Sequence, residues 1–211
     1  MKIVIFGATG GTGRELVRQG LAAGYEVTAF ARNPTAFSPK ERLRVAQGNA
    51  LDRVAVIAAI AGQEVILSAL GGRSLGDSEL LPRSMEHILA GMHQHSVRRL
   101  IVLGAAGTVE GTQKRISLVP RMFFAVFKAT LLRKPFAAQT EMQRIIRESD
   151  TEWTIVQPPR LLNVPGRGEY RVDAEGLPAG GGRISRADVA TFMLGQIGSS
   201  EWGRREPYIA W

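Results

Sequence analysis

Short apolar runs alternate along this chain with segments whose apolar residues recur at helical spacing. Lys2-Ile3-Val4-Ile5-Phe6 reads as a strand, and residues 12–23 as a helix gathering Leu16, Val17, Gly20 and Leu21 on one side. Residues 26–31 (EVTAFA) predict a second strand and 43–47 a weaker third. Asp52 predicts a helix start, because its carboxylate can accept a first-turn N–H, and the helix is expected over 53–61. VILSAL at 65–70 predicts a fourth strand, 78–95 a helix, LIVLGA at 100–105 a fifth strand, about 120–148 a long helical region, and TIVQ at 154–157 a sixth strand. Residues 165–183 are rich in glycine and proline and predict loops around a short strand. Ser185-Arg186-Ala187-Asp188 then predicts a capped start for a last helix over about 186–197.

Strand followed by helix, repeated, implies a parallel sheet covered on both faces. The expected fold class is α/β, a doubly wound sheet in one domain spanning 1–211. Between the first strand and first helix lies Gly7-Ala8-Thr9-Gly10-Gly11-Thr12-Gly13. Such a turn bends the chain where a side chain would clash, and it lets backbone N–H groups and a helix N-terminus approach a diphosphate. Gly7, Gly10 and Gly13 give a GxxGxxG spacing rather than the commoner GxGxxG, yet strand, loop and helix arrive in the order a dinucleotide site requires. An NAD site usually places an acid at the end of the second strand, to hold the ribose 2′-hydroxyl. This chain has Ala31-Arg32-Asn33-Pro34 there. Arg32 offers a planar cation for a 2′-phosphate, so NADP(H) is expected over NAD(H).

Composition narrows the picture further. Hydrophobic residues make up 45% of 211, enough for a sizeable core, and there is no cysteine, which excludes disulfides, thiol nucleophiles and thiolate metal sites. Net charge is +8, mostly from arginine, but the arginines are spread from Arg14 to Arg205 without a basic tract, so nucleic acid is not the expected partner. Residues 2–6 are too short for a signal-peptide core and no apolar run reaches membrane-spanning length, so a cytoplasmic location is expected. His87, His93 and His95 do not share a stripe with a carboxylate, and no metal is expected.

GATGGTG, FARNP, QGNALD, WTIVQPP and ISRADVA, in this order, make the chain resemble an atypical short-chain dehydrogenase/reductase. The resemblance is to the NAD(P)H-binding branch that includes biliverdin-IXβ/flavin reductase and NmrA-like proteins. It implies a Rossmann fold in which Gly7, Thr9, Gly10, Gly11, Thr12 and Gly13 surround the diphosphate and Arg32 meets the 2′-phosphate. It further implies Asn49 and Ala50 at the adenine, Leu70 and Gly71 at the ribose, and Ala105, Pro158 and Pro159 on the nicotinamide side. Elements at about 107–135 and 158–185 would face the substrate, and the protein would be a monomer or homodimer.

The chain departs from that pattern where proton donors would sit. None of Tyr25, Tyr170 and Tyr208 is followed by lysine four residues on, so the Tyr-x-x-x-Lys pair is absent. Where the branch carries a Ser or Thr after strand five the chain has Ala105, and where it carries a His after the prolines it has Arg160. Two readings remain open. One is an NADPH-dependent reductase whose acceptor, a flavin, quinone or similar conjugated small molecule, takes hydride readily while solvent supplies the proton. Arg160 would then hold an anionic acceptor or stabilise charge developing on it; otherwise it is a surface cation. The second is a non-catalytic NADP(H)-binding redox sensor acting through a protein partner. Pro120–Lys128 carries Phe123, Phe124 and Phe127 on a predicted helix with Arg121 and Lys128 seven apart. Those phenylalanines form a hydrophobic lid for a flat aromatic acceptor, lie on a membrane surface, pair with another subunit, or pack a helix on the sheet. Ser185, Arg186 and Asp188 read as structural.

Overall fold

Along β1, Lys2–Phe6, side chains alternate between two cores: Ile3 and Ile5 enter one, Val4 and Phe6 the other. A strand buried on both faces needs helices above and below it, and this chain supplies them. The computed structural model describes residues 1–38, 40–71, 79–106 and 133–211. Within them, β1 joins β2 (Glu26–Ala31), β3 (Leu43–Gln47), β4 (Val65–Ser68), β5 (Arg99–Leu103) and β6 (Glu152–Val156) in one parallel sheet of order β3-β2-β1-β4-β5-β6. Helices α1 (Gly11–Ala22) and α5 (Arg186–Gly195) cover one face with Leu16, Val17, Val189 and Met193. Helices α2 (Arg53–Ile60), α3 (Leu80–Gln94) and α4 (Arg133–Glu148) cover the other with Ile60, Met85, Ile88 and Ile146. Each fully buried aliphatic side chain of this kind contributes roughly 1.5–3 kcal/mol, so the two apolar faces hold the sheet between its helices.

Expected caps form as their chemistry predicts. Asp52 accepts from the N–H groups of Val54 and Ala55 at the start of α2. Ser185 accepts from the N–H of Asp188 at the start of α5 and returns its own hydroxyl to the Asp188 carboxylate. Differences from expectation lie at boundaries and in short elements. β4 stops at Ser68 rather than residue 70, because Ala69–Gly71 turn away at the rim of the sheet. Of the helical region expected at 120–148, the described part is α4 from Arg133 onward. Beyond β6, three-residue strands β7 (Arg160–Leu162) and β9 (Arg183–Ser185) pair in parallel, and β8 (Arg171–Asp173) pairs antiparallel with β10 (Tyr208–Ala210). Of these short strands only the one inside 165–183 was expected; three residues are too few to show a period.

The outer edge of β6 is not left bare. The N–H groups of Ile155 and Gln157 donate to the carbonyls of Arg205 and Pro207, so the C-terminal segment closes an edge that could otherwise pair with another chain. At the opposite end of the strands Arg99 is buried, and its guanidinium donates to the carbonyls of Gln196 and Glu152. Those bonds tie β5 to the end of α5.

Candidate functional site

The strand order reverses at β1 and β4: β2 and β3 lie to one side, β5 and β6 to the other. Diverging connections open a crevice at the C-terminal ends of these two strands. Gly7 leaves β1 there with φ +74°, and a Cβ on it would stand 2.5 Å from the carbonyl oxygen of Ala69 and 2.7 Å from the nitrogen of Leu70. Gly13, in the first turn of α1, comes so close to Gly7 that a Cβ would collide with the Gly7 carbonyl. These two glycines are required by the protein itself. Gly10 is different: a Cβ there would meet only the Gly7 oxygen, at 3.3 Å. Packing therefore leaves Gly10 space that nothing in the fold fills.

Gly10 caps α1 without any side-chain cap, and the first helical bond runs from the Arg14 N–H to the Gly10 carbonyl, 2.8 Å. The N–H groups of Gly11, Thr12 and Gly13 precede that bond and lack intrahelical acceptors. Thr12 and Gly13 are buried while Gly11 is exposed. One cleft collects most of the residues singled out from the sequence: Gly7, Thr9, Gly10, Arg32, Asn49, Ala50, Leu70 and Gly71 all line it. Its floor adds Phe30, whose ring lies 4.9 Å from that of Phe6 and leaves no room for a side chain at Gly48. Arg32 leaves β2 exposed at the rim, and Asn33 turns the chain away by accepting from the Thr35 N–H, 3.0 Å. Asn49 accepts from the Leu51 N–H, and the His87 ring Nδ1–H donates to the Ala50 carbonyl, 3.2 Å, anchoring that wall to α3.

On the far side, the segment after β5 is stitched to the segment after β6. The Gly104 N–H donates to Val156 and the Ala106 N–H to Pro158, 2.7 and 2.9 Å, which sets half-buried Ala105 beside buried Pro158 and half-buried Pro159. Arg160 opens β7, exposed, with Arg183 of β9 as its register partner. Arg121, Phe123, Phe124, Phe127 and Lys128 lie outside the described residues.

A family model described as NAD(P)H-binding matches residues 7–200. The chain belongs to this family. The NAD(P)H binding that the resemblance implied is borne out by this match, and the Rossmann fold class by the solved structures of like fold. An uncharacterised chloroplastic protein of Arabidopsis thaliana is 25% identical across 94% of this chain and 74% of its own length. Among solved structures, a putative exported protein of Burkholderia pseudomallei superposes with a TM-score of 0.80 at 26% identity, covering 100% of both chains. An oxidoreductase of Lactococcus lactis gives 0.83 at 17% identity, over 100% of this chain and 90% of that one. A short-chain dehydrogenase/reductase of Veillonella parvula in complex with NADP gives 0.81 at 19% identity, over 100% and 94%. At 17% and 19% the likeness is one of fold.

Three further side chains belong to this end of the sheet: Arg14, which the sequence reading did not single out, and Arg186 and Asp188, which it read as structural. Arg14 donates from Nε to the Thr9 carbonyl, 3.1 Å, with its guanidinium 5.6 Å from the centre of the Phe37 ring. Its place directly after the third glycine was the available signal. Arg186 lies against Gly11. Asp188, 1% exposed, is the anchor of the loop after β7: it accepts from the N–H groups of Arg167 and Gly168, the Ser185 hydroxyl and the Trp211 indole. Burial works to raise its pKa, but those backbone N–H groups, the hydroxyl and the indole outweigh it and hold the carboxyl below the ordinary range. Among the described residues no cluster of three or more His, Asp or Glu side chains is arranged to hold a metal ion, and no helix is long and apolar enough to cross a membrane.

Proposed function

We propose that this protein is an NADPH-dependent reductase that passes hydride to a flavin, a quinone or a similar conjugated small molecule. The observation that carries the reading is the make-up of the switch-point cleft. Among the described residues lining it, Arg32 is the sole charged side chain, and no carboxylate stands where a 2′-hydroxyl would be held. The residues present suit the cofactor. Gly10 leaves an open cradle beside three N–H groups without intrahelical acceptors, which favours a diphosphate against the positive end of α1. In this reading Gly7, Thr9, Gly10, Gly11, Thr12 and Gly13 surround the diphosphate and Arg32 pairs the 2′-phosphate. Asn49 and Ala50 border the adenine, Leu70 and Gly71 the ribose, and Ala105, Pro158 and Pro159 the nicotinamide. The Veillonella parvula neighbour that binds NADP has the same fold, in keeping with this assignment.

When bound, the cofactor supplies a hydride. Ala105 and Arg160 offer no group that releases a proton near neutral pH, so an acceptor that draws its proton from solvent suits this site better than an unactivated ketone. Arg160 and Arg183 are exposed register partners, and like charges so placed repel. An acceptor carrying an anionic group would relieve that repulsion, and in this reading Phe123, Phe124 and Phe127 would contact its ring. The test follows NADPH oxidation by the purified protein with FMN, riboflavin, FAD and quinones, with NADH in parallel. Saturable oxidation that prefers NADPH, and FMN over riboflavin, is expected. Tight NADPH binding with no turnover across the panel would refute the reductase and favour a non-catalytic redox sensor.

A further inference from the structure

The glycine loop has a second side. Away from the cleft, Gly11 and Glu15 of α1 face Arg186 and the loop Leu162–Gly166 across a shallow groove. Helices α1 and α5 are locked together here: Gln19 donates to the Ala187 carbonyl, 3.0 Å, and accepts from the Thr191 hydroxyl, 2.9 Å. Arg186, the first residue of α5, is therefore held at a fixed place beside the start of α1. Its side chain lies so flat on Gly11 that a Cβ there would stand 2.5 Å from both Cδ and Nε. The glycine at 11 is what admits the arginine.

This arrangement is electrostatically unfavourable as it stands. Arg186 is half-buried, and among the described residues its guanidinium has neither an ion pair nor a hydrogen bond. Glu15, one turn along, is engaged instead by Arg18 at 2.7 Å and by Gln19. A cation at a helix N-terminus faces the positive end of the dipole, where anions are favoured and cations are not. An unpaired guanidinium set against unsatisfied N–H groups makes sense if an anion comes between them.

We propose that Arg186 is the side-chain cation of the diphosphate site, closing over the start of α1 from the α5 side. This rests on the cofactor reading above and adds a residue to it. The planar fork of a guanidinium can pair two phosphate oxygens at once, while the N–H groups of Gly11, Thr12 and Gly13 approach from the helix. Arg32 would then select the 2′-phosphate and Arg186 would bind what NADPH and NADH share.

The test compares the unmodified protein with Arg186→Gln and Arg186→Lys by titration calorimetry and thermal denaturation. Arg186→Gln should weaken NADPH and NADH by a similar factor, about tenfold or more, which corresponds to about 1.4 kcal/mol. Adenosine 2′-monophosphate, which lacks the diphosphate, should bind as before. The melting temperature of the free variant should be unchanged or higher, since a repelled cation has been removed. Arg186→Lys should recover part of the affinity by charge alone. NADPH affinity undiminished in Arg186→Gln would overturn the inference and leave the cofactor reading standing. A lowered melting temperature with equal loss of adenosine 2′-monophosphate would assign Arg186 a structural role and overturn it as well. If the unmodified protein bound no NADPH, the cofactor reading would fall and this inference with it.

Discussion

Asp188→Asn is the substitution whose outcome the structure constrains most closely. Oδ1 of Asp188 accepts from the Gly168 N–H at 3.0 Å, and Oδ2 accepts from the Arg167 N–H at 3.0 Å, the Ser185 hydroxyl at 2.8 Å and the Trp211 indole at 2.9 Å. Every partner is a donor. Asparagine keeps the shape but has one acceptor oxygen, and its amide N–H groups must face donors on whichever side they fall. The least harmful orientation keeps the oxygen on the Oδ2 side and turns the amide toward the Gly168 N–H. A hydrogen bond to a charged group contributes about 1.5–3 kcal/mol, so one lost bond, a new clash of donors and three bonds weakened by loss of charge should cost about 2–4 kcal/mol.

At roughly 2–4 °C per kcal/mol for a chain of this size, the melting temperature should fall by about 5–15 °C. The pH dependence gives a second, independent check. The folded carboxyl sits below its ordinary value, so the unfolded chain binds the proton more readily. The anion's stabilisation is therefore complete above the unfolded pKa of about 3.9, and drains away as pH falls through the lower folded value. Urea melts of both proteins from neutral pH downward should show a gap that is constant above about pH 5 and narrows below 4. A loss under about 1 kcal/mol at neutral pH, or a gap that does not narrow in acid, would refute the claim that a buried anion holds this loop.

Three further substitutions separate the fold from the cofactor site. Arg32→Ala should leave the melting temperature within about 2 °C, since the side chain is exposed, and weaken NADPH by tenfold or more with little effect on NADH. Equal losses measured by calorimetry would remove Arg32 from the 2′-phosphate. Gly10→Val should fold, because a Cβ at Gly10 meets only one backbone oxygen at 3.3 Å, yet bind neither cofactor; Gly13→Ala, whose Cβ collides with the Gly7 carbonyl, should lose several kcal/mol of stability. Circular dichroism melts set beside fluorescence titration read both, and a Gly10→Val protein that bound normally would move the diphosphate elsewhere.

The cleft was legible in the sequence where backbone geometry dictates residue type. Gly7 must adopt a positive φ against the Ala69 carbonyl and Gly13 must touch Gly7, so the spacing is printed in the chain as glycine. Arg32 was legible for a related reason, because it directly follows a short apolar strand whose end is plain in the sequence. Arg186 was not. Its capping context, Ser185 through Asp188, gives a complete structural account of those residues, and nothing local reveals that α5 lays the side chain on Gly11. That contact depends on how two helices distant in sequence pack together. Strands β7 and β9 escaped for a related reason: their pairing joins two short segments across a loop, with no period in either.

The charge balance of +8 acquires a local meaning when arginines with partners are set beside those without. Arg18, Arg83, Arg98, Arg144 and Arg147 each have a carboxylate partner, and Arg99 and Arg204 bond backbone carbonyls. Arg44 and Arg53 lie exposed on the outer strand β3 and on α2, where water suffices. Arg32, Arg160, Arg183 and Arg186 differ: their guanidiniums have no partner among the described residues, and all four stand beyond or beside the C-terminal ends of the central strands. Repulsion among cations left this way costs stability, and water screens it least at half-buried Arg186. A basic surface evolved for nucleic acid would spread its cations over a face wide enough to follow a phosphate backbone. Four unpaired arginines at one end of the sheet, Arg32 in the cleft and Arg186 on the other side of the glycine loop, instead suit a compact ligand with separate anionic groups. A 2′-phosphate at Arg32, a diphosphate at Arg186 and an anionic acceptor at Arg160 and Arg183 would account for all four.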